Sequence, residues 1–505
     1  MTPVQKNTIA NFLGRSAIAL LSIFFVPWYI KLLGAEAYGL VGFYLTFQAT
    51  LSLVDAGFGS AFNREIARLS IVVDKSQEIR NLAQTFEVIF LLIGVLIASL
   101  LGLSSRFIAT SWINPVELSI DAVASSILLM GFAIGLQLVF VIYQNGLMGV
   151  QKQTRLNVLL VVLGFLRGVG GVMALEFIAP TVQVFFAWQL VVTLLQASCG
   201  RMMLWWSLPK SVERPGVDLS LLRPMFRFIA GATGAAILGV VLMQADKLIL
   251  SKLLTLEMFG YYALASSVVM VPSLIATAIY AATYPRFSQL VMLGDNDSLA
   301  NFYHTSCQLL AALLIPVGLA VSLYAHELIL TWTGNELTAQ NVAPLVSILE
   351  LGQILMGLML LPYALQLAHS WAKLGFIANI VAICTLIPLV FWLASTYGSI
   401  GASFSWLILY SGQMLGIIYV MHRRILPGER RKWYIDDVGK PMLAAIIVLS
   451  TSRLLFPHPV YGIALFAFLG ALTLITICLT TLSAPDARGL ILRNFTAWRE
   501  IRVGK

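Results

Sequence analysis

The sequence predicts an all-α polytopic membrane protein with about fourteen transmembrane helices, in two parallel six-helix lobes followed by two further helices. Composition is the first of the observations behind this prediction. The 505 residues are 59% hydrophobic and 11% charged, whereas soluble domains carry about 25% charged residues. A chain with so few charges cannot keep this much apolar surface away from water, so it is predicted to lie in a bilayer.

The second observation is the length of the apolar segments. A helix needs about 20 mostly apolar residues to cross the hydrocarbon core, and segments of this kind recur along the whole chain. The predicted helices are 9–33, 38–62, 83–104, 122–147, 157–178, 182–204, 225–250, 259–283, 303–325, 343–367, 375–397, 401–422, 441–456 and 461–482. The thirteenth is short and contains Arg453, so twelve or thirteen spans are the alternatives.

The third observation is the distribution of basic residues. If the chain begins in the cytoplasm, 23 Lys and Arg residues fall in cytoplasmic segments and 2, Arg106 and Lys252, fall outside. The positive-inside rule therefore predicts a multi-pass protein with both termini cytoplasmic. The net charge of +9 then reflects topology and attraction to anionic lipid, and no nucleic-acid partner is expected.

A repeated stretch predicts the arrangement in lobes. Residues 31–44 read KLLGAEAYGLVGFY and residues 252–265 read KLLTLEMFGYYALA. Each copy joins an odd-numbered predicted helix to the next one, and six helices separate the copies, which favours a parallel duplication. The predicted divisions are an N-lobe at 1–204, a cytoplasmic linker at 205–224, a C-lobe at 225–422, two extra helices within 423–482 and a cytoplasmic tail at 483–505.

Motifs for several kinds of chemistry are missing from the sequence. It contains no GxxxxGK[ST] and no HExxH, and its four cysteines are far apart, so neither a P-loop nor a metal site is predicted. The longest external loops, about 105–121 and 326–342, are too short for a catalytic domain. We therefore predict a transporter without a cofactor rather than an enzyme.

Polar side chains recur at helical spacing on the first two helices of each predicted lobe. These stripes predict the walls of a polar cavity, because intramembrane polar residues usually face a bundle interior. The predicted cavity-lining residues are Asn11, Gln48, Ser52, Ser273, Thr277 and Tyr280, and the predicted cations are Arg15 and Arg227. Both arginines are also near enough to a helix end to reach the interface.

Several intramembrane acids allow two interpretations. Asp55 is either a coupling or cavity residue or the partner of Arg15. Asp246 is a second candidate for ion coupling, or part of a structural pair with Lys247. Four further charged residues fit interhelical ties as well as a site, and they are Glu87, Arg167, Glu176 and Glu350.

Short motifs in the chain resemble the bacterial polysaccharide-transport family. They are LGAEAYGL at 33–40, DAGFG at 55–59, NRE at 63–65, QADK at 244–247 and FGYYALA at 259–265. The family comprises flippases for O-antigen and other lipid-linked oligosaccharides, within the multidrug/oligosaccharidyl-lipid/polysaccharide (MOP) exporter superfamily.

The resemblance implies an activity in the bacterial cytoplasmic (inner) membrane. A flippase of this family moves an undecaprenyl-diphosphate-linked oligosaccharide to the outer leaflet by alternating access, for O-antigen, lipopolysaccharide or related surface polysaccharide. Arg15 and Arg64 match the diphosphate-binding arginines of related lipid II flippases on helices 1 and 2. Helix 8 has no internal arginine, so Arg227 would supply the remaining cation. Expected partners are the bilayer, a polysaccharide polymerase and a chain-length regulator, and a monomer is expected.

The driving force and the function class each have alternatives. Because no ATP site is present in the sequence, an ion gradient or the removal of product outside would drive transport. A cation-coupled multidrug exporter of the same superfamily is the first alternative function, and it predicts acidic cavity walls. A membrane-embedded glycan polymerase or ligase is the second, and it would need a larger external loop.

Overall fold

The computed structural model describes residues 14, 17–18, 20–72, 75–456 and 461–489, and helices dominate these residues. The described chain contains no strand, which confirms the all-α polytopic class. The helices are α1 Leu20–Leu33, α2 Ala35–Leu69, α3 Ser76–Trp112, α4 Ile120–Gly149, α5 Gln153–Phe177, α6 Val182–Ser207, α7 Leu219–Leu253, α8 Leu256–Leu293, α9 Asn296–Leu323, α10 Ala325–Thr333, α11 Glu336–Ala368, α12 Ala372–Arg424, α13 Arg430–Leu455 and α14 Ile463–Ser483.

Within the described ranges, twelve helices are long and apolar enough to cross a membrane. The first predicted helix, 9–33, is described only in part, as α1. The two predicted helices 375–397 and 401–422 are joined in α12, whose 53 residues contain Gly398 at φ 62° and ψ −143°. A continuous helix of that length would extend about 80 Å, far beyond a core of about 30 Å. The break at Gly398 therefore divides α12 into two spans, and with α1 this accounts for the predicted number.

The chain divides into two compact units between Gly260 and Tyr261. Helix α7 and the first residues of α8 belong to the first unit. The lobe boundaries proposed from the sequence, at 204 and 225, remain a prediction.

Close backbone contacts hold the first unit together. A Cβ atom on Gly94 of α3 would lie 2.7 Å from the carbonyl oxygen of Gly135 on α4, and one on Gly135 would lie 2.5 Å from that of Gly94. A Cβ atom on Gly200 of α6 would likewise lie 2.8 Å from a ring carbon of Phe140 on α4. Small residues are what allow membrane helices to approach this closely.

The first repeated stretch meets residues 252–260 of the second, which belong to the same unit. Each joins two helices, the first through Gly34 at φ 85° and the second through the extended residue Leu254. A Cβ atom on Gly260 would lie 2.9 Å from the backbone nitrogen of Gly39, its counterpart in the other copy. The shared glycine therefore serves a close contact between the two stretches.

The loop after α3 is fastened by Glu36, from the first repeated stretch. Its buried carboxylate accepts the backbone N–H groups of Val116, at 2.5 Å, and of Glu117 and Leu118, at 2.8 and 3.1 Å. On the second stretch, the Asn114 side chain donates to the carbonyl of Lys252 at 3.0 Å. These contacts satisfy backbone groups that would otherwise stay unpaired at the helix ends.

In the second unit, side-chain ties connect the helices. The Ser322 hydroxyl of α9 donates to the carbonyl of Ser347 on α11 at 2.9 Å, and the Ser347 hydroxyl donates to the carbonyl of Ser322 at 2.6 Å. Glu327 of α10 is paired with Arg453 of α13 at 2.5 Å. Near the other end of α9, His304 and Asp437 are buried together at 2.6 Å.

Apolar side chains also cover outward surfaces of the helices. On α3, Leu92 is 66% exposed and Leu103 is 86% exposed, and on α12 Trp392 is 62% exposed. Such faces are expected for helices that contact lipid chains.

Candidate functional site

The first unit encloses a cavity of about 360 Å³ between α1, α2, α4, α5 and α6. Its wall mixes apolar side chains with an unusual number of polar ones for a membrane interior. The polar lining residues are Ser22, Tyr29, Tyr38, Tyr44, Gln48, Gln137, Gln144, Arg167, Gln189 and Gln196. Among the described lining residues there is no aspartate or glutamate, so the wall carries one positive charge and no negative one.

Arg167 supplies that charge from α5. It lies fourteen residues after the start of this 25-residue helix, about 21 Å along it, which places it near mid-span. Its Nη2 donates to Gln196 Oε1 at 2.8 Å and to Thr193 Oγ1 at 3.4 Å. These partners are neutral, so within the described chain the guanidinium lies in the wall without a counter-ion.

Five glutamines give the wall its amide character. Gln137 and Gln144 are seven residues apart on α4, and Gln189 and Gln196 are seven residues apart on α6, so each pair lies on one helix face. Gln189 and Gln196 are buried. The buried Oε1 of Gln137 has no hydrogen-bond partner among the described atoms. A glutamine side chain can donate and accept, so these groups suit a ligand rich in hydroxyls or phosphate oxygens.

Three tyrosines complete the polar part of the wall, and Tyr44 is the informative one. Its side chain is buried, yet its hydroxyl makes no hydrogen bond of ordinary geometry with the described residues. The Thr193 hydroxyl lies near that of Tyr44, but it donates its hydrogen bond to the carbonyl of Gln189 at 2.8 Å. A buried hydroxyl without a partner is unfavourable, and a bound ligand or water would satisfy it.

The sequence-predicted residues of the first unit are not all in this wall. Gln48 lines the cavity. Asp55 begins a π-helical turn in α2 and accepts a hydrogen bond from Asn145 Nδ2 at 2.5 Å. Arg64 is exposed, with its guanidinium 5.2 Å from the centre of the Phe228 ring.

Other predicted residues lie on different elements. Arg227 is exposed near the start of α7, and Asp246 is buried with Lys247 Nζ 3.5 Å from its carboxylate. In the second unit, the hydroxyls of Ser273 and Thr277 donate to carbonyls of their own helix. Tyr280 stacks on Tyr284. Asn11 and Arg15 lie outside the described residues, as does the side chain of Ser52, so these assignments stay predictions.

The sequence allowed Glu87 to be either an interhelical tie or a site residue, and the structure shows a structural role. Glu87 of α3 accepts from Arg201 Nε at 2.6 Å and from Trp205 Nε1 at 2.8 Å, both on α6. It is an interhelical tie. No group of three or more His, Cys, Asp or Glu side chains is placed to hold a metal ion within the part of the chain that the structure describes.

The family of the chain follows from comparison of its sequence with protein families. The family model described as "Polysaccharide biosynthesis protein" matches residues 30–339. The chain belongs to this family. The match includes α2 to α9 and most of the cavity wall.

A curated relative agrees with this assignment. A provisionally named O-antigen transporter of Shigella flexneri is 22% identical over 184 residues, which span 36% of this chain and 43% of that protein. The chain thus matches less than half the length of this curated relative. As in the sequence analysis, the comparison favours a transporter over an enzyme.

Solved structures show the same fold. The lipid II flippase MurJ in an inward closed conformation matches with a TM-score of 0.70 and 14% identity, over 97% of this chain and 99% of that one. An inward-facing multidrug resistance MATE family transporter of the MOP superfamily matches with a TM-score of 0.67 and 13% identity, over 81% and 96%. The fold is therefore that of MOP-superfamily transporters.

Proposed function

We propose that the protein is a flippase for undecaprenyl-diphosphate-linked oligosaccharides in the bacterial cytoplasmic membrane. It would move the repeat unit of O-antigen or a related surface polysaccharide from the inner to the outer leaflet by alternating access. The family match and the O-antigen transporter relative support this proposal.

The observation that carries the proposal is the chemistry of the cavity in the first unit. Arg167 is a permanent cation at mid-span, and arginine forks match phosphate oxygens. The amide and phenol groups around it suit sugar hydroxyls. An exporter of cationic drugs would be expected to carry carboxylates there, and the described wall carries none.

The volume of the cavity limits which part of the substrate it can bind. A volume of about 360 Å³ is at the small end of ligand pockets, which run from about 300 to 1,000 Å³. We infer that it receives the diphosphate and the first sugar, while the polyprenyl chain stays in lipid. Arg15, Arg64 and Arg227 remain further candidates for contacts to the same anion.

Deletion of the gene in its own host tests the proposed function. The lipid-linked repeat unit should accumulate on the inner leaflet, and the surface polysaccharide should disappear. Reintroducing the wild-type gene should restore it. If the glycan persists and drug sensitivity rises instead, the protein is a multidrug exporter and the proposal fails.

A variant of the predicted diphosphate site tests the residue assignment. Arg15→Ala should abolish export at unchanged protein level, as measured by surface polysaccharide and by immunoblot of membranes. Full export by this variant would remove Arg15 from the site without touching the function itself.

A further inference from the structure

A carboxyl group is buried without a partner in the second unit. Glu350 lies within α11, fourteen residues after Glu336, and its side chain has no exposed surface. Neither carboxylate oxygen has a hydrogen-bond partner among the described residues. An ionised carboxylate would be strongly unfavourable in such surroundings. The side chain is therefore held as the neutral acid in this conformation.

The packing of α9 against α11 determines what lies beside Glu350. A Cβ atom on Gly318 would come within 2.8 Å of Glu350 Oε1, so the carboxyl group lies directly on the backbone of α9. Ser347 precedes Glu350 by three residues, and its hydroxyl exchanges hydrogen bonds with Ser322. Since residues three apart are neighbours on a helix face, this serine pair lies one turn from the carboxyl group.

A cleft of about 360 Å³ lies next to the serine pair, and Ser322 and Ser347 form part of its wall. His326 and Gln340 also line it. The His326 side chain is 36% exposed and lies 3.1 Å from Glu336 at the protein surface. The cleft thus connects a solvent-exposed end of α11 with the serine pair. The distribution of Lys and Arg predicts that this end is external.

The other titratable groups on the helices packed against α11 make no hydrogen bond to Glu350. On α9 and just after it, the nearest such groups in sequence are Cys307 and Tyr324, on either side of Gly318. On the other helices they are His326 and Glu327 of α10, Tyr363 of α11 and Tyr410 of α12. Glu327 is already paired with Arg453. No cation within the described residues therefore stabilises a charged Glu350.

We propose that Glu350 is a proton-binding site and that the serine pair and the cleft form its route to water. In the packed conformation both serine hydroxyls donate to backbone carbonyls. Once the pair separates, the freed hydroxyls can donate and accept, and water entering from the cleft can exchange a proton with the carboxyl group. A metal ion is a poor alternative, because hard cations need about six oxygen ligands. The carboxyl group lies against the bare backbone of Gly318, where such a ligand set is missing among the described atoms.

The role of this proton in transport rests on the proposed flippase function. Separation of α9 from α11 would open Glu350 to the cleft, and the proton would then leave to water and the carboxylate would be hydrated. Return to the packed conformation would require a proton to bind again. A proton gradient would thereby bias the conformations, because only the protonated form is compatible with the buried state.

Infrared spectroscopy of the full-length protein in lipid vesicles tests the site without any transport assay. The wild type at neutral pH should show the carbonyl stretch of a protonated carboxyl group that Glu350→Gln lacks. Glu327→Gln is the matched control and should retain the band, because it removes a carboxyl group that is paired with Arg453 and leaves Glu350 in place. Identical wild-type and Glu350→Gln spectra in this region would mean that Glu350 is ionised, and the proposal would be wrong.

Proteoliposomes loaded with the lipid-linked oligosaccharide test the coupling. Movement should respond to an imposed pH gradient in the wild type, lose that response in Glu350→Gln, and keep part of it in Glu350→Asp. A response to a sodium gradient alone, or none to either gradient, would overturn the coupling while leaving the flippase function intact. An infrared band without movement of any lipid would instead support the site and contradict the proposed function.

Discussion

Buried charge is handled differently in the two compact units. In the first, Arg167 faces a cavity with neutral hydrogen-bond partners, while Glu87 is paired with Arg201. In the second, Glu350 is enclosed without a partner, while Glu327 is paired with Arg453. Among its described residues, each unit thus combines a tie between helices formed by an ion pair with a charged or ionisable side chain that has no opposite charge beside it.

This difference gives a criterion for telling structural charged side chains from functional ones. A paired carboxylate stabilises the fold. An isolated carboxyl group in the membrane is costly, so a functional role is the expected reason for its presence. The cation has an open cavity beside it, which suits a large anion. The acid lies against the backbone of α9 and is not part of the wall of the cleft, which suits the smallest cation, a proton.

Among the variants that test this comparison of the two units, the largest expected effect comes from removing Arg167, the isolated cation. Arg167→Gln should lower transport roughly 10- to 100-fold, because hydrogen bonds to charged groups contribute about 1.5–3 kcal/mol. Arg167→Lys should retain more activity. Flipping in proteoliposomes, normalised to folded protein, is the measurement.

The matched control for Arg167 is an arginine of the first unit that is already paired. Arg201→Gln should lower thermal stability, since it leaves Glu87 with Trp205 alone, but transport per folded molecule should persist. Equal transport by Arg167→Gln and the wild type would contradict the assignment of the cavity.

The next largest effect is on stability, and it comes from the close contact between Gly135 of α4 and Gly94 of α3. Gly135→Ala should destabilise the protein by about 1–3 kcal/mol, because the added methyl group meets the carbonyl of Gly94. Gly412→Ala in α12 is the control, since nothing lies within 4 Å of its Cβ position. That variant should be neutral or stabilising by about 0.5–1 kcal/mol. Thermal unfolding in detergent measures both, and equal losses would refute the contact.

Variants of Glu327 and Glu350, two of the buried acids of the second unit, should differ in stability. Glu327→Gln removes an ion pair whose arginine is partly exposed, so a loss of about 1–2 kcal/mol is expected. Glu350→Gln replaces a neutral acid by an amide of similar shape, and neither side chain has a hydrogen-bond partner there, so a smaller change in stability is expected. A larger loss for Glu350→Gln in thermal unfolding would show that its carboxylate has a stabilising partner.

The smallest effect concerns the start of α9, the helix that carries Gly318. Asp295 caps it by accepting from Ser298 N at 3.0 Å, and the hydrogen bonds from Ser298 lower the pKa of this exposed carboxyl group. Its contribution is therefore complete above the unfolded-state pKa and is lost as pH falls through the lower folded-state pKa.

Hydrogen exchange in the first turn of α9 measures this cap. Asp295→Ala should exchange faster at neutral pH, and acidification should bring the wild type towards the variant. Asp295→Asn should keep the cap and lose the pH dependence, because asparagine caps helices as well as aspartate. Exchange in Asp295→Ala equal to the wild type would exclude the cap.

Much of the fold was predictable because membrane helices need long apolar segments. The all-α class and most helix positions were predicted correctly, and Gly398 marks the break between the two predicted helices that α12 contains. The role of Glu87 could not be chosen from sequence, since Arg201 and Trp205 come more than a hundred residues later. Only the packing of α3 on α6 brings them together.

The cavity in the first unit was harder to predict than the helices. Four of its five glutamines lie on α4 and α6, whereas the predicted stripes were on the first two helices of each lobe, where Gln48 lies. The seven-residue spacing within each glutamine pair was a usable signal. It shows that each pair lies on one face, but which faces meet depends on tertiary packing, so the association with Arg167 required the structure.

The anchoring of the loop after α3 has a consequence for biogenesis. Glu36 is synthesised 80 residues before Val116, whereas Asn114 must wait 138 residues for Lys252. Translation at about 5–20 residues per second separates these events by on the order of ten seconds. The nascent chain therefore secures this loop in two stages, first to the helix hairpin already inserted and later to α7. A ribosome stalled before residue 252 would display the half-anchored intermediate.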